Sequence, residues 1–155
     1  MPRTYTVSFE GVAVVAQVDF FEIQPADDKP CRIVGLFLSQ SSDVGDAAEE
    51  ILRVEIIRGH TTSGSGGATP VEEPVDTTDV AAGFVSETNN TTIASLGTTS
   101  ILHAHAWNIR TGLELWFPPG AQHLANQGNT TMVVRLMAAP VDSLTMSGSL
   151  YVEEQ

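Results

Sequence analysis

Ser143 to Glu153, close to the end of the chain, alternate without a break. Leu144, Met146, Leu150 and Val152 fall on one face with Gly148 between them, and Thr145, Ser147, Ser149, Tyr151 and Glu153 fall on the other. Period two over that length describes a β-strand with one face buried and one in water. Such a strand is stable only inside a sheet whose apolar face is covered by a second layer. The segment therefore predicts that the chain ends within a sheet and that the rest of the molecule is a sandwich or barrel.

The same signal recurs upstream. Tyr5, Val7 and Phe9 alternate with Thr4, Thr6, Ser8 and Glu10, and Leu52, Val54 and Ile56 oppose Arg53 and Glu55. Strand-like runs also occupy Val18 to Ile23, Val85 to Thr88, Ser100 to Trp107, Leu113 to Phe117 and Met132 to Met137, bounded by Gly, Pro, Asn, Asp and Ser clusters. Ile33 to Leu38 is apolar on both faces and reads as a central strand, with Val34, Leu36 and Leu38 expected in the core. About eight strands with almost no helical periodicity predict an all-β, antiparallel β-sandwich, a jelly roll, formed by residues 1–155 as a single domain. The Cys-Trp-Cys pattern of immunoglobulin domains is missing. One or two helical turns are expected within Ser42 to Glu50, weakened by Gly45.

Two stretches do not fit a core. Gly59 to Ala82 begins Gly59-His60-Thr61-Thr62-Ser63-Gly64-Ser65-Gly66-Gly67 and continues with Glu72, Glu73, Asp76 and Asp79, with no basic residue. Pro118 to Thr131 carries Pro118-Pro119-Gly120 and Asn126-Gln127-Gly128-Asn129. Connections longer than about 12 to 15 residues are uncommon in compact domains and usually bind something, cover something or stay disordered. The partner-contact candidates are therefore His60, Thr61, Thr62, Glu72 and Glu73 in the first loop. Trp116, Phe117, Pro118, Pro119, Asn126 and Asn129 are the candidates in and before the second.

Charge narrows the partners. Against 19 acids stand seven basic residues, among which Lys29 is the single lysine, and the formal net charge is -12. A phosphate backbone would be repelled over most of such a surface, so nucleic acid is not an expected partner. No apolar run approaches the roughly 18 residues that span a bilayer, so no membrane partner is expected. The amino terminus alternates at once and shows no export leader. Cys31, the single cysteine, heads an apolar run and reads as a small buried hydrophobe.

Patterns that carry chemistry are sparse. His103 and His105 are two apart, so on a strand they share a face and have the spacing of a metal-ligand pair. Cupins, which are jelly-roll enzymes, use such a pair together with a carboxylate four or five residues beyond it. Here Ile109 and Arg110 stand at that place and the nearest acid is Glu114. No Gly-x-Ser-x-Gly elbow occurs, and Ser63-Gly64-Ser65-Gly66-Gly67 is linker-like and lacks the lysine of a phosphate loop. The acids Asp43, Asp46, Glu49 and Glu50 lack EF-hand spacing and read as a solvated turn. Asn89, Asn90 and Asn129 read as turn residues rather than glycan acceptors. No catalytic residue, metal site or cofactor is expected.

Four stretches resemble small virion structural proteins of tailed bacteriophages: Ser41 to Ala47, Leu52 to Gly67, His103 to Asn108, and Ala139 to Gly148. The resemblance implies a capsid decoration or cement protein, commonly a homotrimer, bound to major capsid proteins on the capsid exterior of the virion. A tail or fibre module, or a cupin-like metal-binding enzyme, are the alternatives.

Overall fold

The computed structural model describes residues 1–42, 49–125 and 130–155. Among these residues the chain forms eleven strands and no helix: β1 (Arg3–Val14), β2 (Val18–Gln24), β3 (Cys31–Gln40), β4 (Ile51–His60), β5 (Glu73–Pro74), β6 (Val85–Asn90), β7 (Ser100–Asn108), β8 (Leu113–Trp116), β9 (His123–Ala125), β10 (Thr131–Leu136) and β11 (Leu144–Glu154). The helical turn expected in Ser42 to Glu50 falls mostly outside the described residues, as do Asn126 and Asn129.

All pairings are antiparallel and build two sheets, ordered β5-β1-β11-β3-β8 and β6-β2-β10-β4-β7, with β9 pairing the same edge of β3 as β8. Without β5, β6 and β9, the pairs are β1 with β11, β2 with β10, β3 with β8 and β4 with β7. First pairs with last, second with next to last, and so on inward, while the pairs fall alternately on the two sheets. That nesting is the jelly roll: one long hairpin wrapped around a barrel axis.

The core lies between the sheets. Tyr5, Val7, Phe20, Phe21, Ile23, Leu36, Ile56, Val134, Met146 and Leu150 are fully or almost fully buried there, and Phe9 stacks on Phe20 at 6.0 Å. β11 is buried at every second residue from Leu144 to Glu154, as its alternation predicts. β3 is an internal strand as expected, but Val34 corrects the sequence reading. Ile33 pairs with Val152 and Gly35 with Tyr151, so Val34 is an extra residue in the ladder, and this bulge leaves it only partly buried.

A second bulge shapes β2. Phe21 pairs with Val134 and Asp19 with Arg135, which leaves Phe20 as the extra residue. Phe20 and Phe21 thus both join the core, while Asp19 and Glu22, three apart, both face the outer side of the second sheet. Neither carboxylate reaches water, because the chain after β4 folds back over that face.

The stretch Gly59 to Ala82 is therefore a fitted cover and not a free loop. Its first part runs antiparallel to residues 88–95 through the bridges Thr62–Ser95, Ser65–Thr92 and Ala68–Thr88. Beneath it, Arg135 forms a bidentate pair with Asp19, at 2.5 and 3.0 Å, and donates to the Ala94 carbonyl, while Asp19 accepts from the Ala94 amide. Glu22 accepts from the Gly64 amide at 2.9 Å and from the Asn90 side chain at 3.1 Å. Charges buried this deeply are tolerable only because partners satisfy them. The chain then wraps the sandwich edge: β5 joins β1, Phe84 packs edge-on against Tyr5, and β6 joins β2. Tyr5 donates to the Val80 carbonyl, Glu72 accepts from the Ser86 amide and hydroxyl, and Glu154 accepts from the Gly83 and Phe84 amides.

Candidate interaction site

Strand alternation at β8 separates two neighbouring aromatics. Trp116 points away from the core and is 57% exposed, whereas Phe117 turns inward and packs against the core edge. Trp107, at the other side of the turn between β7 and β8, is buried.

Trp116 belongs to a trio on the outer face of the first sheet. It meets Phe37 at 5.1 Å and Tyr151 at 5.2 Å between ring centroids, and Phe37 meets Tyr151 at 5.8 Å. The register explains the grouping. Thr6, Tyr151, Gly35 and Trp116 form one rung across β1, β11, β3 and β8, and Ser8, Ser149, Phe37 and Glu114 form the next rung on the same face. Gly35 has no side chain, so the indole lies over its backbone. The Trp116 Nε1 donates to Glu114 Oε1 at 3.1 Å. An open depression continues from Phe37 and Glu114 over Ser8, Ser39, Ser147 and Ser149.

A second cluster lies at the open side of the sandwich, where β7 faces β8 and β9. His103 and His105 register with the core residues Ile56 and Val54 and so face between the sheets. Their rings stack at 5.8 Å. His123 and Phe117 approach from the other sheet, with His123 at 5.7 Å from His103 and 4.5 Å from Phe117. Burial, then the neighbouring His105, pushes the pKa of His103 down; burial, then His103 and Arg58, does the same for His123. Both shifts favour the neutral imidazole. Ile109 is buried, and Arg110 lies 3.4 Å from Glu49. Glu114 is turned to the Trp116 side. Among the described residues no group of three or more His, Cys, Asp or Glu side chains is placed to hold a metal ion.

The other candidates are dispersed. His60 lies beneath the cover at 6% exposure, beside Arg135 and Leu96. Thr61, Thr62, Glu73, Pro118 and Pro119 are exposed, and Glu72 is half-buried and bonded to Ser86. Asn90 is not a turn residue but a buried one, bridging Glu22, Glu87 and the Gly67 amide. Cys31 is buried, and burial beside Glu154 pushes its thiol up to about 12, the state of an inert core residue. Sequence reasoning missed Phe37, Tyr151 and Gly35 as one surface with Trp116. The signal available was the placement of Tyr151 on the polar face of the final strand.

No protein-family model matches the chain, and no curated protein matches it. Among solved structures, a chain of T=1 particles derived from infectious bursal virus aligns at 14% identity, over 98% of this chain and 40% of its own length, with a TM-score of 0.17. A TM-score that low marks no common fold, so the argument for function rests on this protein's own residues. These define a jelly-roll protein with one sheet covered by its own chain and the other bearing an exposed tryptophan flanked by two half-buried aromatics.

Proposed function

We propose that this chain is a structural protein of a virion, a decoration protein that binds the outside of a tailed-phage head and bridges neighbouring major capsid proteins as a homotrimer. The observation that carries the reading is the stapling of the long excursion after β4: residues that would form a mobile loop are fixed onto the sandwich by backbone bridges and buried carboxylates. A cement protein must present a preformed surface, because ordering a loop at the moment of binding subtracts from affinity. The charge of -12, which disfavours wrapping DNA, is compatible with the same reading.

Attachment then falls to exposed groups on the cover and its flanks, among them Thr61, Thr62 and Glu73, with Pro118 and Pro119 at the opposite edge. Three copies held on one trimer make weak contacts act together. A ligand that binds only the assembled head stabilises that state by mass action.

The test is co-sedimentation of purified protein with undecorated heads and with unassembled capsid subunits. Saturable binding to heads alone, with a rise in the temperature at which heads rupture, is the expected result. Equal binding to free subunits, or no binding to heads, would refute the reading.

A further inference from the structure

The outer face of the first sheet combines two features. One is a flat aromatic plane held in place from several sides. A Cβ at Gly35 would sit 2.8 Å from two carbons of the Trp116 ring, so the indole rests directly on the β3 backbone. Its edge is tied to Glu114, and Phe37 and Tyr151 stand against its flanks at 77° and 43°. One indole face is therefore covered, while Trp116 as a whole is 57% exposed. The other feature is a run of short hydroxyl side chains in the neighbouring depression, which Phe37 and Glu114 join to the indole. The Ser8 and Ser149 hydroxyls lie 2.9 Å apart, Ser147 accepts from the Gly11 amide, and Ser39 registers opposite Ser147, all lining the same depression as Glu114.

We infer that this face is a binding site for a neutral carbohydrate, with one pyranose ring stacked on Trp116, its hydroxyl rim turned to Glu114, and the adjoining sugar unit extending over Phe37 toward the serines. The apolar side of a pyranose presents polarised C–H bonds, which the negative face of an aromatic ring attracts. Its equatorial hydroxyls need neighbours that both donate and accept, which serine does, and a carboxylate that accepts strongly. A protein hot spot asks for something else: an aromatic anchor surrounded by contacts that exclude water. Here an open concavity lined by Phe37, hydroxyls and a carboxylate adjoins the Trp116 indole, as in sites for small polar ligands. Glu10 and Glu114 in the depression, together with the charge of -12, select against uronic, sialic and sulfated sugars. The inference does not rest on the virion reading: the site lies on the outer face of the first sheet, whose edge strand β5 comes from the excursion and whose β8 edge carries Pro118 and Pro119.

The experiment is titration of the isolated full-length protein with methyl glucosides, galactosides and mannosides and their neutral di- and trisaccharides. Binding is read by tryptophan fluorescence and by amide chemical shifts. Saturable binding of at least one neutral sugar is expected, with shifts confined to β3, β8 and β11. Trp116→Ala should weaken it by about tenfold or more, given that one stacked aromatic contributes on the order of a factor of ten. Trp116→Phe and Glu114→Gln, which keep a ring or the shape of the side chain, should each weaken it severalfold and serve if the alanine variant fails to fold. The site is refuted if no sugar of the panel binds, if folded Trp116→Ala or Trp116→Phe binds as the parent does, or if anionic glycans bind in preference. It is equally refuted if Trp116→Ala converts an oligomer to a monomer without any sugar having bound, which would make this face a contact between copies of the chain.

Discussion

Trp116 stands opposite Gly35 in the ladder between β8 and β3, and its indole occupies the space into which any other residue at position 35 would project a Cβ. The pair behaves as one unit: the glycine gains a covering ring and the ring gains a seat. Gly35→Ala should therefore destabilise the protein by about 1 to 3 kcal/mol through overpacking, and should shift tryptophan emission as the indole is lifted. In the Trp116→Ala background the same change should cost less, a non-additivity measurable by urea denaturation of the four variants. Equal cost in both backgrounds would contradict the arrangement.

The buried pair of Asp19 and Arg135 ties β2 to β10 and both to Ala94 of the cover. Removing one partner strands a charge out of water. Asp19→Ala and Arg135→Ala should each cost about 3 to 5 kcal/mol, and the double variant less than the sum. Amide exchange should rise first around residues 91–97 in Asp19→Ala, because the Ala94 amide loses its acceptor.

Acid should weaken the fold through its histidines. His103, His123 and His60 are all held below the ordinary value of 6.5, chiefly by burial, so the folded state binds protons less readily than the unfolded chain. Their destabilising effect is absent well above pH 6.5 and grows as pH falls through it, where the unfolded state takes up protons and the native state does not. Urea midpoints measured from pH 7.5 down to 5 should fall, and His123→Gln should flatten the decline. An unchanged slope in that variant would show that the cluster does not titrate as described.

The bulge in β3 makes a paired prediction. Leu36→Ala, at a fully buried position, should cost about 2 to 5 kcal/mol, whereas Val34→Ala, on the partly exposed side, should cost under about 1 kcal/mol. Thermal denaturation of the two variants distinguishes this from the unbroken alternation that the sequence predicts.

That contrast marks how far the sequence was readable. Period two located β1, β4 and β11 well, because a half-buried strand writes its two faces directly into residue type. A bulge adds one residue without any compositional mark, so Val34 and the paired Phe20 and Phe21 were not foreseeable from alternation. Asp19 and Glu22 carry no mark in sequence of the layer that buries them, since carboxylates on a strand ordinarily face water.

The cover itself was misread for a physical reason. Glycine serves both flexible linkers and close backbone approach, and Ser63 to Gly67 looks the same in either case. In the structure Gly67 lies against the Thr88 and Asn89 backbone with no room for a Cβ, so its role is close packing. Trp116 was readable as a surface candidate. Its partners Phe37 and Tyr151 come from strands distant in sequence, and only the register of β3 with β8 and β11 unites them.

The proposal that this is a decoration protein of a phage head is tested most directly by locating the protein in purified tailed-phage particles. Gold-labelled antibody against the protein should mark the head surface in a regular distribution, in filled and empty heads alike. Label confined to tails or fibres, or particles that contain none of the protein, would contradict the account.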